Sequence, residues 1–449
     1  MAVIDVREEI AHAPVGRYHV WLAWLAWLVG LIVFFEGYDT FNAAYVIHYV
    51  AGPWRLSPSQ SGFLVSSALI GFMLGALIQG KISDRYGRLT TLIGALWIAT
   101  VFSFMTAILA KSFLVFCALR LLTGIGLGTL LPVSVAYLNE FAPQRLKHRF
   151  ATWGWGLGFS TGGIAASAVG VFLTPSLGWP VLYYFASLSA VIAVVCHRSL
   201  PESPQFLAVH GRRVGIADIL SRLNQAHASR YRDPDARFVM LEPGYHAGSL
   251  RRLFSPEYRR TTLAVWSAAF FVLFSIYGLT GWVPTVMMQR GETFAASFGF
   301  GALVLGMNFF GTMACGTVID RAGKAHWAMA AWWSAGALSV AALGFINVHM
   351  VNMVALAAAG FFVLGGQGAL NNTTASWYET EVRGTALGWM LGMGRLGGIL
   401  GPVIVGTIQE AYAGAHALFV AIALAALAGA VSISLAGPRR ARFGPAAAS

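Results

Sequence analysis

The sequence predicts an all-α integral membrane protein of twelve transmembrane helices in two pseudo-symmetric six-helix bundles. Three observations lead there. Of the 449 residues, 57% are hydrophobic and only 11% charged, and the mean hydropathy is +0.66, far outside the composition of soluble domains. Apolar windows of roughly 20 residues, enough to cross a ~30 Å hydrocarbon core as helix, recur along nearly the whole chain, and no barrel-type alternation accompanies them. Finally, "GKISDRYGR" (Gly80 to Arg88) is echoed by "GTVIDRAGK" (Gly316 to Lys324). Each copy has glycine, three residues, Asp-Arg, one residue, glycine and a base.

The spans are expected to begin near Tyr18, Ser61, Thr90, Ser112, Phe150, Trp179, Thr261, Ala295, Ala325, Met350, Gly384 and Tyr412. Before them, "MAVIDVREEIAHAPVGRYHV" is polar and carries acids, so it reads as a cytoplasmic tail and not as a cleaved signal peptide. The two Asp-Arg repeats follow the second and eighth spans, the same place in each set of six, which is the signature of parallel repeats. Residues 1–198 are therefore expected to form one bundle and 259–449 a second bundle with a short cytoplasmic tail. Between them, 199–258 form a polar, partly helical central loop, too short for a soluble enzyme domain.

Lysine and arginine set the orientation, because cytoplasmic loops retain positive charge. Basic residues gather at Lys81/Arg85/Arg88, in "QRLKHR" (Gln144 to Arg149), from Arg198 to Arg260, at Arg321/Lys324, at Arg383 and in the tail "GPRRARF". Both termini are thus expected in the cytoplasm, with the chain in the inner (plasma) membrane. The net charge of +12 follows from the same bias; anionic lipid headgroups suffice as its partner, and nucleic acid is not needed. Cys117, Cys196 and Cys315 are far apart and form no CxxC pair or metal set, so they read as free thiols. Neither a metal nor an organic cofactor is implied.

Against this apolar background a few polar residues carry the chemistry. Glu36 and Asp39 lie three apart in "FFEGYDTF", so on a helix they share roughly one face. An acid in the bilayer is costly and normally faces a cavity; two neighbouring acids in such a place favour proton binding. They are the candidate proton-coupling residues, with a wetted helix end as the bland reading of Asp39. Arg395 falls about eleven residues into its span, roughly 16 Å deep, and its planar fork grips a carboxylate bidentately. It is the leading candidate for binding an anionic substrate, and a structural ion pair with Asp39 or Glu36 is its rival role. Arg120, about eight residues into its span and beside Gly124, Gly126 and Gly128, is either a charge partner in proton transfer or part of the substrate site. "GIGLG" here is no phosphate loop, because no strand precedes it and the GxGxxG spacing is absent.

Gln367 and Asn371 are one helical turn apart and, with Asn372, can hydrogen-bond a carboxylate or hydroxyl; helix-to-helix hydrogen bonding is the equal alternative. Among the many aromatics, Tyr378 and Trp389 are candidates for stacking on a planar ligand. Asp84, Arg85, Gly87 and Arg88, with Asp320, Arg321 and Gly323 in the second copy, lie at cytoplasmic helix ends and can form a latch for alternating access. Positive-inside topology alone explains neither the aspartates nor the repeated glycines. Glu140, after "VAYLN", reads as part of the same gate, pairing with Arg145, Arg149 or the Asp84 loop.

The Gly-x-x-x-Asp-Arg-x-Gly-Arg pattern resembles the signature loop of the major facilitator superfamily. "RLLTGIGLG" (Arg120 to Gly128) is similar to its fourth-helix motif, and "PESPQFL" (Pro201 to Leu207) to the motif ending its sixth helix. Within the superfamily, "EGYD" (Glu36 to Asp39) resembles the Asp-Gly-x-Asp of the aromatic acid:proton symporters. The stretch Gly365 to Pro402, with its Gly-x-Gly-Arg element, resembles their tenth and eleventh helices. Two departures stand out: Glu36 where that family has Asp, a carboxylate of longer reach that can retune substrate size, and Glu379 where it often has Pro.

The resulting expectation is a transporter and not an enzyme: proton-coupled uptake of a small organic anion, bound near the midplane between the bundles, by a rocking alternating-access cycle in a monomer. The residues by themselves say only "anion plus proton"; the resemblance implies an aromatic acid of the hydroxybenzoate type. No Walker sequence is present, so the proton gradient is the expected driving force. An aliphatic carboxylate symporter, an exporter and a non-transporting receptor are the alternatives.

Overall fold

In hydrocarbon no water can satisfy backbone N–H and C=O groups, so an apolar segment of this length has to close its hydrogen bonds within itself as helix. In the computed structural model, which describes residues 3–14, 18–143, 158–240, 250–412 and 414–436, eleven helices are long and apolar enough to cross a membrane and a twelfth is shorter. They are α1 (Tyr18–Val50), α2 (Pro58–Tyr86), α3 (Arg88–Leu109), α4 (Phe113–Phe141), the shorter α5 (Gly158–Phe172), α6 (Val181–Ser199), α7 (Arg259–Gln289), α8 (Phe294–Ala322), α9 (Ala325–Phe345), α10 (His349–Ser376), α11 (Thr380–Ala411) and α12 (Ala415–Ser434). The helix starts fall within a few residues of those read from the sequence. The start expected at Phe150 lies outside the described residues, as do the basic run Gln144 to Arg149 with its expected Glu140 partners Arg145 and Arg149, and the tail "GPRRARF".

The outer faces are apolar and open, as a lipid-facing surface requires: Leu77, Leu114 and Leu338 are each about 70% exposed or more. The inner faces are built differently, because lipid is as apolar as leucine and helices gain by close packing rather than by hiding from water. A Cβ on Gly124 of α4 would collide with the backbone carbonyl of Ala68 on α2, and one on Gly37 of α1 would collide with that of Phe159 on α5. The same backbone-to-backbone approach joins Gly397 of α11 to Phe270 of α7. Small residues thus set the helix spacing, and the side chains beside them are carried to fixed positions.

The helices pack as two units. One contains Met1–Gly244 together with Val283–Leu305; the other contains Tyr245–Trp282 together with Gly306–Ser449. In the first unit, the start of α8 is held by Ser167, whose hydroxyl donates to the Phe298 carbonyl at 2.6 Å, and by Tyr45, whose ring lies 4.9 Å from that of Phe298. In the second, Trp282 donates its indole N–H to the Pro402 carbonyl at 3.0 Å, tying α7 to α11 at the proline. Within α10 a π turn over Gly360–Leu364 precedes the polar half that carries Gln367, Asn371 and Asn372. Such a turn re-aims the residues that follow it.

The N-terminal segment is more than a polar tail. Val3–Asp5 forms a parallel two-stranded sheet with Arg237–Val239 of the central loop, with Ile4 opposite Phe238. Asp5 then caps the short helix Val6–Ala11 by accepting from the Arg7 N–H at 2.9 Å. Ile4, Val6 and Ile10 are buried in one core with Ile216, Leu220 and Leu223 of the loop helix Arg213–Leu223. Glu9 accepts from Arg230 Nη1 at 3.2 Å and from the Tyr231 hydroxyl at 2.6 Å. Burial, reinforced by the Glu9 carboxylate, raises the Tyr231 phenol above its ordinary range.

Two outcomes follow from this packing. Gly124→Val should lose roughly 1–3 kcal/mol to overpacking, read as a lower melting temperature in detergent and a smaller monodisperse fraction, whereas Gly94→Ala, with open space around it, should behave as wild type. Ile4→Asp places a charge at a site only 1% exposed and should release the strand pair, so that trypsin cuts near Arg237 markedly faster while the spanning helices stay protected. Unchanged cleavage would show that the N-terminal strand does not hold the loop.

Candidate functional site

Asp39 sits in mid-α1 in a setting made largely by neighbouring spans. Gly37 lets α5 approach on one side, and α3 and α4 bring Ser103 and Arg120 to the other. Arg120 Nη1 donates to Asp39 Oδ1 at 2.6 Å, and Nη2 donates to the Asp39 backbone carbonyl at 2.7 Å. Asn42 Nδ2, one turn along α1, also donates to Oδ1 at 2.9 Å, while the Ser103 hydroxyl donates to Oδ2 at 2.5 Å. The Arg120 guanidinium lies 5.3 Å from the centre of the Tyr183 ring, a cation–π approach that further offsets its removal from water. The Arg120 and Asp39 side chains are 0% and 4% exposed. Glu36, one turn back, is fully buried as well, so both predicted proton-coupling acids lie inside the first unit.

Of the two roles open to Arg120, the geometry places its guanidinium on Asp39. Arg395 is held differently. It is half-buried on α11, and its Nη1 donates to the Tyr277 hydroxyl of α7 at 3.0 Å. Room for that tyrosine comes from Gly398, where a Cβ would press on the Tyr277 ring. Its neighbour Gly394 packs against Leu273 and Ala269, and Gly397 against Phe270, so the glycines around Arg395 hold α11 tight on α7.

Gln367 and Asn371 lie half-buried on the polar half of α10, and the side-chain oxygen of each is buried without a hydrogen-bond donor among the described residues; Asn372 is exposed. The two predicted stacking aromatics are already engaged. Tyr378 is buried, shares a 3.0 Å hydrogen bond with the Thr262 hydroxyl and stacks on Tyr258 at 5.3 Å. Trp389 is exposed and stacks on Trp266 at 5.6 Å.

The first Asp-Arg loop is a connected network at the junction of α2 and α3. Arg88 pairs with Asp84 at 2.8 Å and with Glu140 of α4 at 3.1 Å, and donates to the Ser83 carbonyl at 3.0 Å. Glu140 also accepts from the Ser203 hydroxyl. Glu202 completes the junction: it accepts from the Leu89 N–H at 2.9 Å and the Thr90 N–H at 3.4 Å, capping the N-terminus of α3, where orphan donors and the helix dipole favour an anion. Gly87 is required there twice over, by its φ of +103° and because a Cβ would strike the Glu202 carboxylate. Arg85 is exposed, 5.4 Å from the Tyr86 ring.

In the second copy, Gly323 likewise has positive φ, +63°, so the repeated glycine marks the same backbone need in both. Asp320 and Arg321 are exposed there and form no ion pair among the described residues. Sequence reasoning missed Ser103 and Asn42, which carried no motif, and passed over Glu202 and Ser203, although "PESPQFL" had been singled out. No group of three or more metal-ligating side chains occurs among the described residues.

The comparisons with known proteins agree with this architecture. The family model described as Major Facilitator Superfamily matches residues 29–351. The niacin transporter NiaP of Acinetobacter baylyi is 29% identical over 97% of both chains. The gallate transporter of Pseudomonas putida is 32% identical over 99% of this chain and 98% of its own, and the 4-hydroxybenzoate transporter PcaK of Pseudomonas aeruginosa is 31% identical over 90% and 89%. Among solved structures, the xylose transporter XylE from E. coli, in a partially occluded inward open conformation, superposes with a TM-score of 0.73 at 16% identity, covering 92% of this chain and 97% of XylE. The chain is a multi-pass membrane transporter, not an enzyme, related to carriers of aromatic acids, and it belongs to the Major Facilitator Superfamily.

Proposed function

We propose that this chain is a proton-coupled importer of a small aromatic carboxylate, acting as a monomer in the inner membrane with both termini in the cytoplasm and needing no cofactor beyond the coupling proton. The observation that carries the reading is Asp39: a carboxylate buried in a spanning helix and held by Arg120, Asn42 and Ser103. Such a residue is expensive to keep in a membrane and marks an ion or proton path. Protonation cancels its charge and loosens its hold on Arg120, which gives the proton a mechanical consequence.

The substrate class rests on the relatives, whose names specify gallate, 4-hydroxybenzoate and niacin, all aromatic carboxylates. Arg395 supplies the matching chemistry, since its fork can bind a carboxylate while Tyr277 steadies it. Gln367 and Asn371 would hydrogen-bond ring substituents. The Arg88–Glu140 junction, braced by Glu202 and Ser203, would serve as the gate that breaks and reforms as access alternates.

Reconstitution in liposomes with an internal pH dye tests the reading, using benzoate, 4-hydroxybenzoate, gallate and niacin, with an aliphatic acid as control. Because permeant acids acidify vesicles unaided, the quantity read is the difference from protein-free liposomes. Acid-dependent proton entry is expected for wild type and should be abolished in Asp39→Asn; labelled uptake without proton movement would sink the coupling. Arg395→Ala should weaken apparent substrate affinity about ten- to a hundredfold, as the loss of a charge-assisted contact predicts. Glu140→Gln, which removes the charge facing Arg88, should slow turnover several-fold and leave the substrate concentration for half-maximal uptake unchanged; a change confined to affinity would place Glu140 outside the gate.

A further inference from the structure

Resting on the proton-coupling reading of Asp39, we infer that the transported proton resides on Asp39 Oδ2 and that Ser103 is the positioning residue that accommodates it. The two carboxylate oxygens are not equivalent. Oδ1 already receives two donors, Arg120 Nη1 at 2.6 Å and Asn42 Nδ2 at 2.9 Å. A guanidinium has no acceptor, and an amide NH₂ cannot accept. A proton on Oδ1 would therefore meet the Arg120 donor head-on and require Asn42 to turn its amide over, in a place with almost no solvent.

Oδ2 has one partner among the described residues, the Ser103 hydroxyl at 2.5 Å, and a hydroxyl can both donate and accept. While Asp39 is ionised, Ser103 Oγ–H points at Oδ2. When a proton from water adds to Oδ2, Ser103 has to release that hydrogen bond and accept the new O–H instead. Its own hydrogen then needs an acceptor, and α3 supplies one pattern for it: Thr100 and Thr106 on the same helix donate to the carbonyls four residues back, Leu96 and Phe102, each at 2.7 Å. The corresponding carbonyl for Ser103 is that of Ala99. A hydroxyl that turns its hydrogen from Oδ2 towards this backbone oxygen, with an adjustment of the Ser103 side-chain torsion, would satisfy the protonated state. One proton enters, none is displaced, and Asp39 passes from charged to neutral while Arg120 keeps its charge.

Of the other ionisable groups around the carboxylate, only Arg120 is hydrogen-bonded to it. Arg120 and, behind it, Cys117 come from α4; Tyr183 comes from α6; Tyr38 and Glu36 share α1 with Asp39. Tyr38 donates its hydroxyl to the Leu182 carbonyl at 2.9 Å and so is turned elsewhere. Ser103 is itself 0% exposed, which excludes bulk water from the role.

The experiment is pH-difference infrared spectroscopy on the full-length protein in lipid, with no substrate added, paired with uptake of labelled 4-hydroxybenzoate, benzoate, gallate and niacin against external pH. Wild type should show a protonated-carboxylic C=O band that is lost in Asp39→Asn. In Ser103→Ala that band should persist, move to higher wavenumber for want of its hydrogen-bond acceptor, and appear with a midpoint about one pH unit more alkaline, because the ionised form has lost a donor. The pH profile of uptake should move the same way, and Ser103→Thr, which restores the hydroxyl, should return both towards wild type. A band unchanged in position and midpoint by Ser103→Ala would overturn the assignment to Ser103 while leaving Asp39 as the proton carrier. Absence of any titrating band that depends on Asp39, with proton-coupled uptake intact in Asp39→Asn, would overturn the underlying reading and this inference with it.

Discussion

The Asp39–Arg120 pair is the constraint around which the first half of the molecule is organised. Either charge alone at that depth costs about 2.5–3.5 kcal/mol even on the lenient insertion scales, and stripping one partner from a buried pair typically costs ~3–5 kcal/mol. The pair persists because several hydrogen bonds offset its burial: Arg120 reaches both the carboxylate and the backbone of Asp39, Asn42 shares Oδ1 and Ser103 binds Oδ2. Three spanning helices, α1, α3 and α4, each contribute at least one member. Changing the charge on Asp39 therefore acts on all three at once, and this makes a single proton mechanically consequential.

Glycine packing surrounds that arrangement. Gly37 seats α5 on α1 beside Asp39, Gly124 seats α4 on α2, and Gly126 brings α4, which carries Arg120, against α3, which carries Ser103. The same device recurs around Arg395, where Gly394, Gly397 and Gly398 seat α11 on α7 and leave room for Tyr277. In both units the charged residue and the glycines that position it are neighbours in sequence. A helix that must carry a charge through lipid is packed most tightly where the charge sits.

The two Asp-Arg repeats have diverged in how they are wired. In the first, Arg88 links α2 to α4 through Glu140, and Glu202 ties the end of α6 to the start of α3. In the second, Gly323 also has positive φ but Asp320 and Arg321 project into the open. The copies share a positive-φ glycine between helices, and the network is a property of the first copy alone among the described residues. The N-terminal strand strengthens the same asymmetry by binding the central loop.

What the sequence by itself determined is what depends on local composition and spacing. The fold class, the number and starts of the spans, the internal repeat and the buried acids at Glu36 and Asp39 were legible because a membrane imposes a length and an apolarity that any window of about 20 residues reveals. The partner of Asp39, the roles of Ser103, Asn42 and Glu202, and the strand pairing of Val3–Asp5 with Arg237–Val239 were decided only by tertiary structure. Ser103 is one of several serines on apolar helices, and nothing in its neighbours distinguishes it from those that bond their own backbone. Asp39 and Arg120 are 81 residues apart, Leu89 and Glu202 113, and three-residue strands carry no periodicity to read. Contacts of that kind are specified by how helices pack, and packing is settled by the shapes of both partners together.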